Sequence, residues 1–132
     1  MSVTVVLDSG GLESWAQRVP PRDVLTVMEV LRRQGAGRVL VPSVVTVEAL
    51  TGGARDAPIN QTLKQIDLDD DLPLTRTRAA ARLRQGTTAS AVDAVVAEAA
   101  VRTRAAYLLT SDPGDMHALI GRGGGGTHIV TV

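Results

Sequence analysis

Short apolar segments alternate with longer helical stretches along this 132-residue chain. Short apolar strands that alternate with helices are typical of a parallel β-sheet covered by helices on both faces. The predicted strands are residues 3–7, 38–41, 66–68, 107–110 and 129–132. The predicted helices are 9–18, 23–34, a helix that begins at Ser43 and ends at Gly52–Gly53, then 57–65, 72–85, 90–104 and 112–120. The pattern therefore predicts an α/β fold, with residues 1–132 as one domain with a Rossmann-like parallel sheet.

The composition adds limits on the class of protein. Hydrophobic residues make up 44% of the chain and charged residues 21%, which is typical of a globular domain. The chain has no Cys, which excludes disulfides and thiolate metal sites and is compatible with a reducing compartment. It has no basic leader at its start and no apolar segment near the roughly 18 residues of a membrane span. We therefore expect a soluble, cytoplasmic protein.

Five acids lie where the chain changes from one element to the next: Asp8, Glu48, Asp93, Asp112 and Asp115. Asp8 follows the first strand and Asp112 follows the fourth, so both should lie at the carboxyl edge of the sheet, where ligands of such sheets bind. Glu48 has no base three or four residues away that could pair with it. Oxygen ligands of this kind suit Mg²⁺ or Mn²⁺. The acids together predict a divalent metal site.

Helix capping is the alternative explanation for most of these acids. Asp8 could cap the first helix, Asp112 precedes Pro113 in a typical helix start, and Ser90-x-x-Asp93 resembles a capping box. Glu98 is predicted to form an exposed pair with Arg102 on the same helix and is left out of the site.

Four segments resemble motifs of the PIN-domain nucleases, and most closely the VapC-type toxins of bacterial toxin–antitoxin pairs. They are VVLDSG, PSVVTVEAL, SAVDAVVAEAA and LLTSDPGDM, in that order along residues 5–116. The resemblance implies a PIN-like fold with Asp8, Glu48, Asp93 and Asp112 as catalytic acids. It implies that Asp8, Asp93, Asp112 and Asp115 hold Mg²⁺ or Mn²⁺, and that Ser9 and Thr110 support these ligands. The chain departs from the family at Met116, where an aromatic residue is common, and at Ser9–Gly11, a turn that we expect to be more flexible than usual.

The resemblance also implies a function and partners. The chain would be a metal-dependent endoribonuclease that cleaves structured RNA such as transfer or ribosomal RNA, and a cognate antitoxin would hold it inactive. A homodimer with contacts from helices around residues 23–66 is expected. Arg76, Arg78 and Arg82 could contact RNA phosphates, although an ordinary solvated helix surface explains them equally well. Trp15 and Tyr107 are the only aromatic residues, so the sequence predicts no base-stacking surface.

Other classes of protein fit the sequence less well. A receiver domain needs a Lys after a late strand, and the only Lys is Lys64. A dinucleotide-binding domain needs a Gly-rich turn after the first strand, whereas the glycine run here is at residues 123–126. A non-catalytic protein remains as the main alternative, in which a PIN-like binding module keeps its acids as helix caps.

Overall fold

The computed structural model describes residues 2–132, and five parallel strands form a central sheet within them. The order across the sheet is β3-β2-β1-β4-β5. All four neighbouring pairs are parallel. The strands are β1 (Thr4–Leu7), β2 (Arg38–Pro42), β3 (Asp67–Asp69), β4 (Tyr107–Thr110) and β5 (His128–Thr131). The predicted α/β fold with a parallel sheet is confirmed.

Helices flank this sheet in two packed groups. The first α-helix packs against the third and the fourth, whereas the fifth, sixth and seventh pack against one another. The helices are α1 (Ser9–Ala16), α2 (Arg22–Gln34), α3 (Val45–Ala49), α4 (Ala57–Leu63), α5 (Leu74–Arg84), α6 (Ala91–Thr103) and α7 (Pro113–Gly123), with a 3₁₀ turn (Ala54–Asp56) before α4. None of the helices within residues 2–132 combines the length and the hydrophobicity needed to cross a membrane.

The hydrophobic core forms around β1 and α6. Val5, Val6 and Leu7 of β1 are fully buried, as expected for the central strand of a sheet covered on both faces. In α6, the residues from Val96 to Ala100 are buried, and three of these five are alanines. Small side chains let α6 approach the sheet closely, which fixes the position of its first turn and of Asp93 within that turn.

Two predictions for the segment after β2 are wrong. Ser43 does not cap α3, because the cap position is Val44 and no side chain makes a capping hydrogen bond there. The helix ends at Ala49, with Leu50 as its C-cap, and not at Gly52–Gly53. The buried carboxylate of Asp56 explains the early end, because it accepts hydrogen bonds from the backbone N–H groups of Thr51 (2.9 Å) and Gly52 (2.7 Å) and holds this stretch in a turn.

Glu98 is buried, which corrects the prediction that it is exposed. Its side chain does pair with Arg102 (3.1 Å), but it also pairs with Arg76 of α5 (2.7 Å). Both arginines contact Asp69 at the end of β3, at 2.7 and 2.8 Å. We call Asp69, Arg76, Glu98 and Arg102 the ion-pair network. It joins β3, α5 and α6, and because Arg76 lies 22 residues from Glu98, helical spacing alone could not reveal it.

The strand order reverses next to β1. The chain passes from β1 outward to β2 and β3, then returns to place β4 on the other side of β1. The carboxyl ends of β1 and β4 are therefore adjacent. From β1 the chain continues to β2 on one side of the sheet, and from β4 it continues to β5 on the other side. A crevice at such a reversal is where ligands bind in open α/β sheets. Asp8 follows β1 at this point, and Ser111 and Asp112 follow β4.

Candidate metal centre

Asp8 points across the strand reversal and caps a helix at the same time. Its carboxylate is buried; Oδ1 accepts a hydrogen bond from the N–H of Gly11 (2.8 Å), which caps α1. Oδ2 accepts a hydrogen bond from the hydroxyl of Thr110, the last residue of β4. The capping explanation for Asp8 is therefore correct, and it coexists with an orientation toward the neighbouring strand.

The turn after Asp8 is tightly packed against β4, contrary to the expected flexibility. A Cβ atom added to Gly11 would lie 2.3 Å from the carbonyl oxygen of Leu109, and one added to Gly10 would lie 2.5 Å from the hydroxyl of Ser111. The backbone N–H of Asp8 donates to the same Leu109 carbonyl at 3.2 Å. Glycine at these positions lets α1 begin directly against the end of β4. Ser9 is half-buried, and its side chain makes no hydrogen bond among residues 2–132.

Thr110 connects Asp8 to the start of α7. It is fully buried, and its hydroxyl donates to Asp8 and accepts a hydrogen bond from the backbone N–H of Asp112 at 2.9 Å. A hydroxyl can take both roles because it has one donor and two lone pairs. Thr110 therefore fixes the orientation of one acid and the backbone position of another.

Three acids converge at the beginnings of α6 and α7. Asp93, Asp112 and Asp115 each offer a carboxylate oxygen, and these oxygens lie within 4.8 Å of one another. We call these three residues the acidic cluster. Asp93 is in the first turn of α6 and Asp115 is in the first turn of α7, so the positive ends of two helices face the cluster. Asp8 and Glu48 lie outside the cluster.

Helix capping explains Asp93 but not the other two members of the acidic cluster. Ser90 caps α6 by accepting a hydrogen bond from the N–H of Asp93 (3.0 Å), and hydrogen bonds with the side chain and backbone of Ser90 act on the Asp93 carboxylate, so the predicted capping box is present. Asp112 stands at the cap position of α7, but its side chain makes no capping hydrogen bond. Among the five predicted site acids, capping thus accounts for Asp8 and Asp93.

The five acids influence one another electrostatically. Burial raises the pKa of Asp8, and the negative charges of Asp93 and Glu48 add to this effect. Burial also raises the pKa of Asp93, with further contributions from Asp112 and Glu48. A hydrogen bond with Asp112 raises the pKa of Asp115, and burial and the charges of Asp112 and Asp93 raise it further. Across residues 2–132 the ion pairs involve other side chains, so no Lys or Arg neutralises this concentration of charge.

A divalent cation fits this set of side chains. All the donors are carboxylate oxygens, which hard cations such as Mg²⁺ prefer. Like charges held this close repel one another, and a cation between them would remove that repulsion. Glu48 is exposed on α3, makes no hydrogen bond within the described part of the chain, and is close enough to perturb the pKa of both Asp8 and Asp93.

The arginines predicted to contact RNA differ in their surroundings. The guanidinium of Arg76 is occupied by Asp69, Glu98 and the carbonyl of Asp71, and its side chain is only 13% exposed. Arg76 thus has its partners within the chain, and its contact with RNA stays a prediction. Arg78 and Arg82 are exposed on α5 and form no ion pair with any residue from 2 to 132.

Met116 is a residue at which the sequence departs from the motifs that it resembles. It is fully buried and belongs to the hydrophobic core. Sequence reasoning missed two other features that shape the site. It did not predict the close approach of Gly10 and Gly11 to the end of β4, although the paired glycines after Asp8 were a signal for it. It also did not predict the burial of Glu98, for which the sequence contains no signal.

Comparison with known proteins supports the fold. No protein-family model and no curated protein matches the sequence. Among solved structures, a chain in the crystal structure of VapBC2 from Rickettsia felis, bound to a DNA fragment from their promoter, is similar with a TM-score of 0.69. The match covers 98% of this chain and 99% of that one at 14% identity. At this identity the likeness is one of fold, and it agrees with the α/β fold with a parallel sheet that the sequence predicts.

Proposed function

We propose that this chain is a metal-dependent endoribonuclease, the toxin of a VapBC-type toxin–antitoxin pair, formed by one PIN-like domain over residues 1–132. The observation that carries the proposal is the convergence of Asp93, Asp112 and Asp115 beside Asp8 at the strand reversal. The similarity in fold to a chain of the VapBC2 structure supports the proposal.

Four carboxylates would hold the metal: Asp8, Asp93, Asp112 and Asp115. Bound Mg²⁺ or Mn²⁺ would lower the pKa of a coordinated water and neutralise charge that builds on the scissile phosphate. Asp8 would keep its orientation through Gly11 and Thr110. Glu48, which is exposed and has no partner among the described residues, would accept a proton from the attacking water. Because no protein nucleophile is required, the absence of Cys is consistent with this chemistry.

The proposed substrate is structured RNA such as transfer or ribosomal RNA. Arg78 and Arg82 are the proposed phosphate contacts, since both are exposed and unpaired in the described part of the chain. The proposed partners are a cognate antitoxin and a second copy of the chain, and the proposed location is the cytoplasm. The similar VapBC2 structure, in which the complex is bound to promoter DNA, supports the proposal of an antitoxin.

Cleavage of structured RNA by the purified chain tests the proposal. We expect cleavage with Mg²⁺ or Mn²⁺, none with a chelator, and a loss of about a hundredfold or more in the Asp8→Asn and Asp93→Asn variants. Glu13→Gln is a matched control, because Glu13 is an exposed acid outside the site. Circular dichroism would verify that all variants fold. Cleavage of duplex DNA as readily as RNA would overturn the assignment of the substrate.

The inactive binding module is the second candidate, and the capping bond from Asp8 to Gly11 is the observation that favours it. This candidate predicts no cleavage with any divalent metal. It also predicts that Asp8→Asn and Asp93→Asn alter stability alone. That combined result would reject the nuclease.

A further inference from the structure

Asp56 stands at the start of α4 but does not cap that helix. It occupies the N-cap position, where an aspartate usually accepts a hydrogen bond from the first turn, yet its side chain makes no capping bond. The carboxylate turns back toward the end of α3. It accepts hydrogen bonds from the backbone N–H of Thr51 (2.9 Å), the hydroxyl of Thr51 (2.8 Å) and the backbone N–H of Gly52 (2.7 Å). Asp56 thus joins the start of α4 to the loop that follows α3.

This connection is a firm one. The side chain of Asp56 is buried, and the hydrogen bonds from the backbone N–H and hydroxyl of Thr51 lower its pKa, so the carboxylate is charged at neutral pH. Hydrogen bonds to a charged acceptor are roughly twice as strong as bonds between neutral groups. Gly52 has a φ of 85°, a conformation that glycine adopts readily, and this lets the chain turn toward Asp56. The backbone of residues 51 and 52 is therefore held in place.

Glu48, three residues before Thr51, depends on the backbone of α3 for its position. This helix has only five residues and no side-chain cap at its N-terminus. Val45 and Ala49 are one turn apart and buried, so one side of α3 rests on the core. The side chain of Glu48 is exposed and makes no hydrogen bond with any residue in the described part of the chain. Its location is therefore set by how the two ends of α3 are held.

The first helix links the two proposed site acids on this side of the molecule. α1 begins directly after Asp8 and packs against both α3 and α4. Asp56 completes the circuit, because it connects α4 back to the end of α3. The charge of Glu48 contributes to the raised pKa of both Asp8 and Asp93, which shows that Glu48 lies near both acids. The C-terminal end of α3 is thus fixed relative to the element that carries Asp8.

We propose that Asp56 is a positioning residue for Glu48. By holding the backbone of Thr51 and Gly52, it fixes the end of α3 and keeps Glu48 beside Asp8 and Asp93. The catalytic consequence rests on the proposed function, in which Glu48 accepts a proton from the attacking water. A general base must lie within hydrogen-bond reach of that water, and a displacement of about 1 Å can cost about a hundredfold in rate. Asp56 acts through Glu48 and takes no part in the chemistry itself.

A double-mutant cycle separates this role from a general effect on the fold. Asp56→Asn keeps the size of the side chain but leaves one acceptor oxygen in place of two. It should lower kcat for RNA cleavage at least about tenfold, with KM and the Kd for Mg²⁺ unchanged. In a Glu48→Gln background the same substitution should have almost no further effect on kcat, because the side chain that it positions is already inactive.

A matched control makes the same chemical change elsewhere. Asp70→Asn replaces an exposed acid that forms no ion pair with any residue from 2 to 132, and it should leave kcat unchanged. Circular dichroism would verify that each variant folds.

Hydrogen exchange measures the hold on α3 without RNA. The N–H of Leu50 donates to the carbonyl of Thr46 (2.9 Å) at the end of this helix. In Asp56→Asn this N–H should exchange at least about tenfold faster than in the wild type, because the loop beyond it is released. The N–H of Ala105, which donates to the carbonyl of Ala100 (2.9 Å) at the end of α6, is the reference and should not change.

Two results would overturn the proposal. One is unchanged exchange at Leu50 in Asp56→Asn. The other is an equal loss of kcat from Asp56→Asn in the wild-type and Glu48→Gln backgrounds, which would show that Asp56 acts through another group. If the wild type cleaves no RNA, the proposed nuclease fails, and exchange at Leu50 alone then supports or overturns the role of Asp56 in holding α3.

Discussion

The hydroxyl of Thr110 donates a hydrogen bond to the carboxylate of Asp8, across 102 residues of sequence. The same hydroxyl accepts a hydrogen bond from the backbone N–H of Asp112 at 2.9 Å. One buried side chain thus connects the end of β1, the end of β4 and the start of α7. The position of Asp8 relative to the acidic cluster depends on this connection.

Replacing Thr110 by valine tests what the hydrogen bonds of its hydroxyl contribute, because the size of the side chain hardly changes. Valine has nearly the same shape, but it leaves the buried Asp8 oxygen and the less buried Asp112 N–H without this partner. We expect a loss of about 1–3 kcal/mol in the free energy of unfolding, measured with urea. Metal affinity, measured by calorimetry, should fall about 10- to 100-fold. Thr110→Ser keeps the hydroxyl and should retain most of the stability and most of the metal affinity. If the valine variant bound metal as tightly as the wild type, the role of Thr110 in positioning Asp8 would be contradicted.

Gly11→Ala should disturb the contact between the start of α1 and the end of β4, next to Asp8 and Thr110. The new Cβ would lie 2.3 Å from the carbonyl oxygen of Leu109, so α1 or β4 must shift. We expect a loss of about 1–3 kcal/mol in the free energy of unfolding, together with weaker metal binding. Gly121→Ala in α7 is the matched control, because no atom lies within 4 Å of its added Cβ. It should stabilise the protein by about 0.5–1 kcal/mol, as alanine does in place of a helical glycine.

Glu98→Gln should destabilise the protein strongly. The substitution keeps the size of the side chain but removes the charge that compensates Arg76, whose side chain is only 13% exposed. Breaking a buried ion pair in this way costs about 3 kcal/mol. Chemical denaturation of the variant would measure this loss. Glu13→Gln, at an exposed position, should change the free energy of unfolding by less than about 0.5 kcal/mol, and a similarly small change at Glu98 would contradict the importance of the ion-pair network.

The raised pKa of Asp8 predicts how stability depends on pH without metal. Because the folded state binds this proton more tightly than the unfolded state, the contribution of Asp8 to stability decreases as the pH rises above the ordinary value of 3.8. Asp8→Asn removes that cost; its Oδ1 can still accept from the N–H of Gly11, and its Nδ2 can donate to the hydroxyl of Thr110 in place of accepting from it. The metal-free variant should therefore have a higher Tm than the wild type at neutral pH, with a difference that vanishes near pH 3.8.

With Mg²⁺ added at neutral pH, the wild type should have a higher Tm than the Asp8→Asn variant, because Mg²⁺ binds the wild-type site more tightly. Thermal denaturation at several pH values with and without Mg²⁺ would check both parts. A metal-free Asp8→Asn variant that is less stable than the wild type at neutral pH would show that the hydrogen bonds to the charged carboxylate outweigh the cost of its burial.

The sequence predicted the sheet well because its strands are short apolar runs with clear ends. Val5 and Val6 are typical of a strand buried on both faces, and Ser90 correctly indicated the start of α6. The placement of Asp8 and Asp112 at one edge of the sheet followed from the general rule that parallel strands end at a common edge. These are local signals or general properties of the fold class.

Long-range contacts explain the errors. Glu98 has a neighbour of opposite charge one turn away, and local spacing therefore favoured an exposed pair. The decisive partner was Arg76 on another helix, which also withdrew that arginine from the surface. The helix after β2 ended earlier than predicted because the Asp56 carboxylate holds the backbone of Thr51 and Gly52 in a turn. Which side chain meets which across the core is decided by packing of the whole chain, and the sequence of one segment does not contain that information.

The 102-residue separation between Thr110 and Asp8 also determines when the site can exist during synthesis. A ribosome that has joined Asp8, Glu48 and Asp93 has produced three of the five acids, but β4 has not yet been made to hold Asp8 in place. The remaining two acids follow within the next turn of helix after Thr110. If the chain cleaves RNA, the unfinished polypeptide has no competent site, and the translation machinery is not exposed to the activity until the strand that ends at Thr110 has emerged and folded.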